Sequence, residues 1–228
     1  MLIEESACKG QAYGSHRWQV AVKRGLDIAV AIAALVLLLP GLLLIALIVR
    51  LDSPGAPVHV SRRVGMRGRE FWMYKLRSMY VGAEARLAEL RPRNLGGPLM
   101  IRIPGDPRIT RVGRWLRLFG LDEIPQLWNV LKGDMSLVGP RPWAPEEVSL
   151  LAEADLRILQ VRPGMTGVWQ VEGREDPNPW KRLSMDLAYV DNWSLQLDLR
   201  IILRTPLSLL KRRCVAARPM GARTKGET

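Results

Sequence analysis

The chain has 228 residues, enough for one domain of ordinary size together with a membrane anchor and too few for two large domains. Its 34 Lys and Arg outnumber 22 Asp and Glu, a formal charge of +12 with an isoelectric point near 10.5, so its partners are negatively charged: nucleic acid, anionic lipid or phosphorylated substrates. Cys8 and Cys214 stand far apart without metal-ligand spacing and read as free thiols of a reducing compartment, while His16 and His59 are too few and too dispersed for a zinc site or a serine triad. No GxxxxGK(S/T) loop occurs and no GxGxxG follows a strand, which argues against ATP-driven and dinucleotide-dependent chemistry.

In chain order, residues 1–22 are polar and mixed, a loose approach to the membrane. Lys23, Arg24 and Asp27 then share a helical face just before an apolar run and suit a headgroup anchor. From Ile28 to Val49 there is no charged or hydrogen-bonding side chain, and at a helical rise of about 1.5 Å such a run covers roughly 33 Å, the thickness of a bilayer's hydrocarbon. No small-residue cleavage site comes after it; Arg50, Leu51 and Asp52 do, which speaks against a secretory signal. Basic residues lie on both flanks, whereas a single span keeps its positive loops on one side. Pro40-Gly41 lies near the middle, where a helix can bend sharply. Two readings stay open on physics alone: a straight anchor with a tolerated proline, or a helix that enters, breaks at Leu39-Pro40 and returns to the same face.

Beyond the run, 52–57 is a turn. Val58 to Val60 and Phe71 to Leu76 read as two short strands of a hairpin at the membrane surface, joined by the Gly- and Arg-rich stretch 61–70. Residues 82–91 suggest a short polar helix and 92–108 a Pro- and Gly-rich loop. Helices are expected over 111–118, 123–131 and 145–160, with loop over 133–142 and a Gly-bearing loop or hairpin over 162–174. A helix near 180–191 precedes a last one over 195–210, whose dense apolar residues suit the lipid interface; 211–228 reads as a basic disordered tail. The domains drawn from this are 1–22, 23–52, 53–210 and 211–228.

Chemistry concentrates in LDEIPQLWNVLKGDMSLVGPRP (121–142). Asp122 and Glu123 open an expected helix with Pro125 in its first turn, where backbone N–H groups favour an ionised carboxylate and attract phosphate. An ionised carboxylate beside a divalent cation can attack phosphorus. The plainer alternative makes Asp122 an N-cap and Glu123 a first-turn partner of the helix dipole. Arginines recur beside Gly and Pro at Arg108, Arg141, Arg162 and Arg174, with Arg117 just before the dyad; singly each reads as a surface or salt-bridge residue, together they suggest a diphosphate pocket.

From about Lys23 to Thr205 the chain resembles the bacterial sugar transferases, or monotopic phosphoglycosyl transferases. The matching motifs are KRGLD (23–27), SPGAPV (53–58), YKLRSM (74–79), DPRITRVGRWLR (106–117), the 121–142 segment, RPGMTGVWQVEGR (162–174) and DLAYVDNWSLQLDLRIILRT (186–205). The resemblance implies an α+β, predominantly helical fold. A re-entrant helix-break-helix hairpin, interfacial amphipathic helices and a small β-hairpin surround a catalytic domain on the cytoplasmic face of the bacterial inner membrane. It implies that Asp122 attacks the β-phosphate of a UDP-sugar, releases UMP and holds the sugar phosphate covalently until polyprenol phosphate collects it, in the first step of exopolysaccharide or glycoconjugate assembly. By motif, Asp122 and Glu123 hold Mg²⁺, and Lys75, Arg77, Arg117, Arg141 and Arg174 take phosphates or the uridine end. Leu39 stands where many members carry Ser before the membrane proline, Glu172 where Ser or Asn is frequent, and Pro104-Gly105 where polar residues are common; the last two bear on sugar preference. The partners implied are the UDP-sugar, polyprenol phosphate and inner-membrane lipids, with no nucleic acid and with self-association left open. A non-enzymatic basic membrane adaptor of a polysaccharide assembly complex is the competing reading.

Overall fold

The computed structural model describes residues 17–173, 176 and 178–216, and side chains within 18–209. Helix α1 (Arg17–Asp52) starts well before Lys23, so the end of the expected approach segment is already helical; positions 1–16 lie outside the described residues. The helix is continuous through Pro40, so no interruption of helical backbone marks the break expected at Leu39-Pro40; a proline within a helix can bend it without ending it. One window of it is long and apolar enough to cross a membrane, and Val36, Leu37, Leu39, Leu43 and Leu44 are exposed, Leu37 to 79%. An apolar face of that extent needs lipid or protein to cover it.

Both ends of α1 are held by the rest of the chain. Near its start, Lys23 Nζ donates to Asp198 Oδ2 at 2.5 Å and to the Val138 carbonyl at 2.9 Å, and Asp27 Oδ1 accepts from the Leu137 N–H at 3.1 Å. Arg24 donates to the Val130 and Leu131 carbonyls, satisfying the last turn of α4 (Gln126–Lys132). The headgroup anchor expected of these residues is therefore corrected: Lys23, at 6% exposure, and Asp27 are buried and tie the helix to protein, because a buried charge must find a partner. At the far end, Leu42, Ile45 and Val49 pack against Leu76 of β2 (Glu70–Leu76) and Leu116 of α3 (Arg111–Phe119). There Asp52 Oδ2 accepts from the Val112 N–H in the first turn of α3.

The hairpin is as expected in kind and longer in extent: β1 (Val58–Val64) pairs antiparallel with β2, placing His59 opposite Lys75 and Arg63 opposite Phe71. The polar helix over 82–91 shrinks to one turn, α2 (Leu87–Leu90), which buries nothing that would stabilise more. Thr110 caps α3, its hydroxyl accepting from the Gly113 N–H, and Gly120 ends it in the left-handed region (φ 70°).

Two departures matter for the site. The expected loop over 133–142 contains β3 (Ser136–Val138), which pairs in parallel with β4 (Gly164–Thr166); the strands are too short to leave an alternation in the sequence. Their backbones approach so closely that a Cβ on Gly164 would sit 2.1 Å from the Gly139 nitrogen. The expected helix over 145–160 is broken into α5 (Pro145–Val148) and a 3₁₀ stretch (Glu153–Gln160), separated by extended Ala152 (ψ 154°). A π-helical turn (Trp169–Gly173) comes after β4, and α6 (Pro179–Asp191) and α7 (Leu195–Ala216) complete the described chain. The main core joins Val138, Trp143, Leu183, Leu187, Tyr189 and Ile201 from these elements. Backbone over 211–216 continues α7 where tail was expected, and 217–228 lie outside the described residues.

Candidate active site

The carboxylate pair does not open an α-helix. Gly120 reverses the chain, Leu121–Glu123 form a single 3₁₀ turn, and Pro125 sits at the cap position of α4, which begins at Gln126. Proline fits there because its missing N–H is unneeded at a helix start. The expectation that Asp122 draws on an α-helix dipole is corrected accordingly. The tight turn instead places both carboxylates in the electrostatic field of the Lys75 ammonium, Glu123 in hydrogen-bond contact with it.

Glu123 faces a small cleft whose polar lining is Arg63, Lys75, Glu123, Gln126, Arg141 and Gln170. Lys75 Nζ donates to Glu123 Oε1 at 3.3 Å, and Arg141 Nη1 stands 3.9 Å from the same oxygen. Burial lowers the Lys75 ammonium; Glu123 pulls it back up and Arg141 presses it down. Arg63 Nη1 lies 3.8 Å from Glu147 Oε2, and its guanidinium is lowered by burial and then by Arg141. Cations thus crowd one wall, an arrangement that an added polyanion would relieve.

Asp122 does not line that cleft. It is 8% exposed and shares a local field with Arg117, whose guanidinium is lowered by burial and raised by the Asp122 and Asp106 carboxylates. Arg117 Nε donates to Ser78 Oγ at 2.8 Å.

Of the residues expected to bind phosphate, Lys75 and Arg141 come together at Glu123, and Arg117 flanks Asp122. Arg77 does not join them. Its Nη1 donates to the Pro54 carbonyl and its Nη2 to those of Ser53 and Val49, so it caps the C-terminal end of α1 and is corrected to a structural residue. Arg108 is engaged by Asp106 and Arg162 donates to the Gly133 carbonyl, so neither adds to the pocket. Arg174 lies outside the described residues.

Arg63, Gln126 and Gln170 are cleft residues that sequence reading passed over. Arg63 could have been found: in a hairpin of known register it shares a face with His59 and Lys75. Gln170 could not, since its position depends on the π-turn.

A metal finds few ligands here. No group of three or more His, Cys, Asp or Glu gathers among the described residues. The adjacent Asp122 and Glu123 suit Mg²⁺, which uses one or two carboxylates and completes its shell with water and substrate phosphate.

A family model described as bacterial sugar transferase matches residues 18–212. The UDP-galactose-lipid carrier transferase of Erwinia amylovora is 42% identical over 195 residues, covering 84% of this chain and 41% of the relative. The exopolysaccharide production protein ExoY of Sinorhizobium fredii is 39% identical over 187 residues, 80% of this chain and 83% of the relative. A UDP-glucose:undecaprenyl-phosphate glucose-1-phosphate transferase of Caulobacter vibrioides is 41% identical over 196 residues, 82% and 69% respectively. The chain thus spans less than half the length of the first of these relatives.

Proposed function

Because the chain belongs to the bacterial sugar transferase family, we propose that it transfers a sugar 1-phosphate from a UDP-sugar to polyprenol phosphate at a membrane surface and releases UMP. The observation that carries this reading is a buried carboxylate, Asp122, on a tight turn whose next residue forms the acidic edge of a cation-lined cleft.

An Asp122 carboxylate oxygen attacks the β-phosphorus of the donor. The bond from that phosphorus to the bridging oxygen breaks, UMP departs with the bridging oxygen, and the sugar phosphate remains as an acyl phosphate on Asp122. A phosphate oxygen of the polyprenol carrier then attacks the same phosphorus, the bond to Asp122 breaks, and the carboxylate is regenerated beside a polyprenyl diphosphosugar. Lys75, Arg141 and Arg63 orient and neutralise the diphosphate, and Arg117 steadies Asp122 as charge moves; positioning and electrostatics dominate such transfers. Mg²⁺ held by Asp122 and Glu123 would neutralise charge on phosphoryl oxygens when bound.

A membrane setting is supported by the exposed leucines of α1, by exposed Trp18, Trp115 and Trp128, and by Leu199, Leu203 and Leu207 on α7. For α1 we favour a path that returns to the cytoplasmic face by a bend at Pro40 within continuous helix, because one compact body grips both of its ends and basic residues flank both.

The test is UMP release by purified protein with Mg²⁺ and a panel of UDP-sugars. Asp122→Asn is expected to lose it by about 10³-fold or more, and Glu123→Gln to need more Mg²⁺. Full activity of Asp122→Asn removes the mechanism, and silence of the wild type across the panel leaves the basic adaptor.

A further inference from the structure

Behind the cation-lined wall lies a buried ion pair that the transfer itself does not use. Asp186, 1% exposed, and Arg182, 2% exposed, sit one turn apart on α6, with Arg182 Nε 3.9 Å from Asp186 Oδ2. The Arg182 guanidinium lies 3.9 Å from the Trp143 ring centre and 5.6 Å from that of Trp169; Arg141 stands 6.0 Å from the same Trp169 ring. Asp186 Oδ2 accepts the Arg141 backbone N–H at 3.3 Å.

The sequence explains why that bond is singular. In Pro140-Arg141-Pro142 both flanking residues lack an N–H, so Arg141 carries the triplet's one backbone donor. The strand side is already fixed: the Gly139 N–H donates to the Thr166 carbonyl and the Gly164 N–H to that of Pro140. Asp186 fastens the opposite side. A buried ion pair adds little net stability compared with a well-packed apolar pair, so its presence calls for another use.

We propose that Asp186, supported by Arg182, is a positioning residue that fixes the Arg141 backbone and so aims the Arg141 guanidinium at the donor phosphates beside Glu123. The functional half of this rests on the transferase reading; the structural half does not. Arg182 has a second task, since its stacking on Trp143 and Trp169 fills the space between the proline triplet and the π-turn that carries Gln170.

Burial pushes the Asp186 carboxyl up to about 7 against the pull of Arg182, and lowers Arg182 to about 10. Single substitutions would strand one charge in the core and risk unfolding, so two charge-free pairs are compared. Asp186→Asn with Arg182→Met keeps an oxygen acceptor; Asp186→Leu with Arg182→Met removes it. Melting temperatures of the two pairs are matched first.

Hydrogen-deuterium exchange at the isolated Arg141 amide is expected to be about tenfold faster in the Leu pair than in the Asn pair, the loss of Arg182 being common to both. In UMP release, kcat/KM falls about tenfold in the Leu pair, mainly through KM for the UDP-sugar, and recovers in the Asn pair. On an Arg141→Ala background the Leu pair costs less than twofold, because the group it aims is gone. Equal exchange in both pairs overturns the proposal whether or not the protein is a transferase. So does wild-type kcat/KM in the Leu pair, or an undiminished loss on the Arg141→Ala background. A wild type that releases no UMP overturns the transferase reading, and exchange at Arg141 still decides the link.

Discussion

Arg77 and Arg141 carry the same guanidinium and end in different roles because of what each finds around it. Arg77 meets the carbonyls of Val49, Ser53 and Pro54 at the end of α1 and is consumed by them. Arg141, between two prolines, keeps its side chain toward Glu123 while its backbone is held from behind. Arg77→Met is expected to destabilise the protein by about 2–4 kcal/mol, since it orphans buried acceptors. Among molecules that remain folded, KM for the UDP-sugar should be unchanged. Thermal unfolding in detergent and steady-state kinetics check the two parts; a raised KM at unchanged stability would return Arg77 to the phosphate site. Residue identity was legible in the sequence for Lys75, Glu123 and Arg141, because their types and motif positions carried the information. The separation of Arg77 from its neighbour in YKLRSM was not legible, since it depends on where α1 ends in space.

At the scale of elements, α1 carries the largest consequence. Its apolar run, its length and its proline could be read directly, as could the hairpin, α3 and α6, each of which has a clear period or cap. The parallel pair β3 and β4 could not: three-residue strands have no period, and the glycines that allow their approach look like loop residues. Nor could the internal use of Lys23, Arg24 and Asp27, because a charged cluster beside an apolar run looks the same whether it meets headgroups or buried partners. The re-entrant path predicts one-sided access. In a variant with Cys8 and Cys214 replaced by Ser, Val22→Cys and Ala56→Cys are expected to resist a membrane-impermeant maleimide in intact spheroplasts and to react after permeabilisation. Labelling of either position from outside contradicts that path.

For the molecule as a whole, the charge of +12 finds one visible concentration, the cations crowded along the cleft. The compact body grips a long apolar helix at both ends and holds a buried aspartate beside a cleft lined by Arg63, Lys75 and Arg141. On the proposed function, such a body would join a soluble, charged donor to a carrier confined to lipid. On the proposed mechanism, Asp122 itself becomes bonded to phosphorus. Brief incubation with Mg²⁺ and a UDP-sugar, acid quench without acceptor, and mass spectrometry of the peptide containing residues 118–132 test this most directly. A mass increase equal to the sugar phosphate, localised to Asp122 and discharged by polyprenol phosphate, is the expected result. A wild-type enzyme that releases UMP and transfers sugar phosphate while this peptide remains unmodified at every time point, or carries the adduct on another residue, would contradict it.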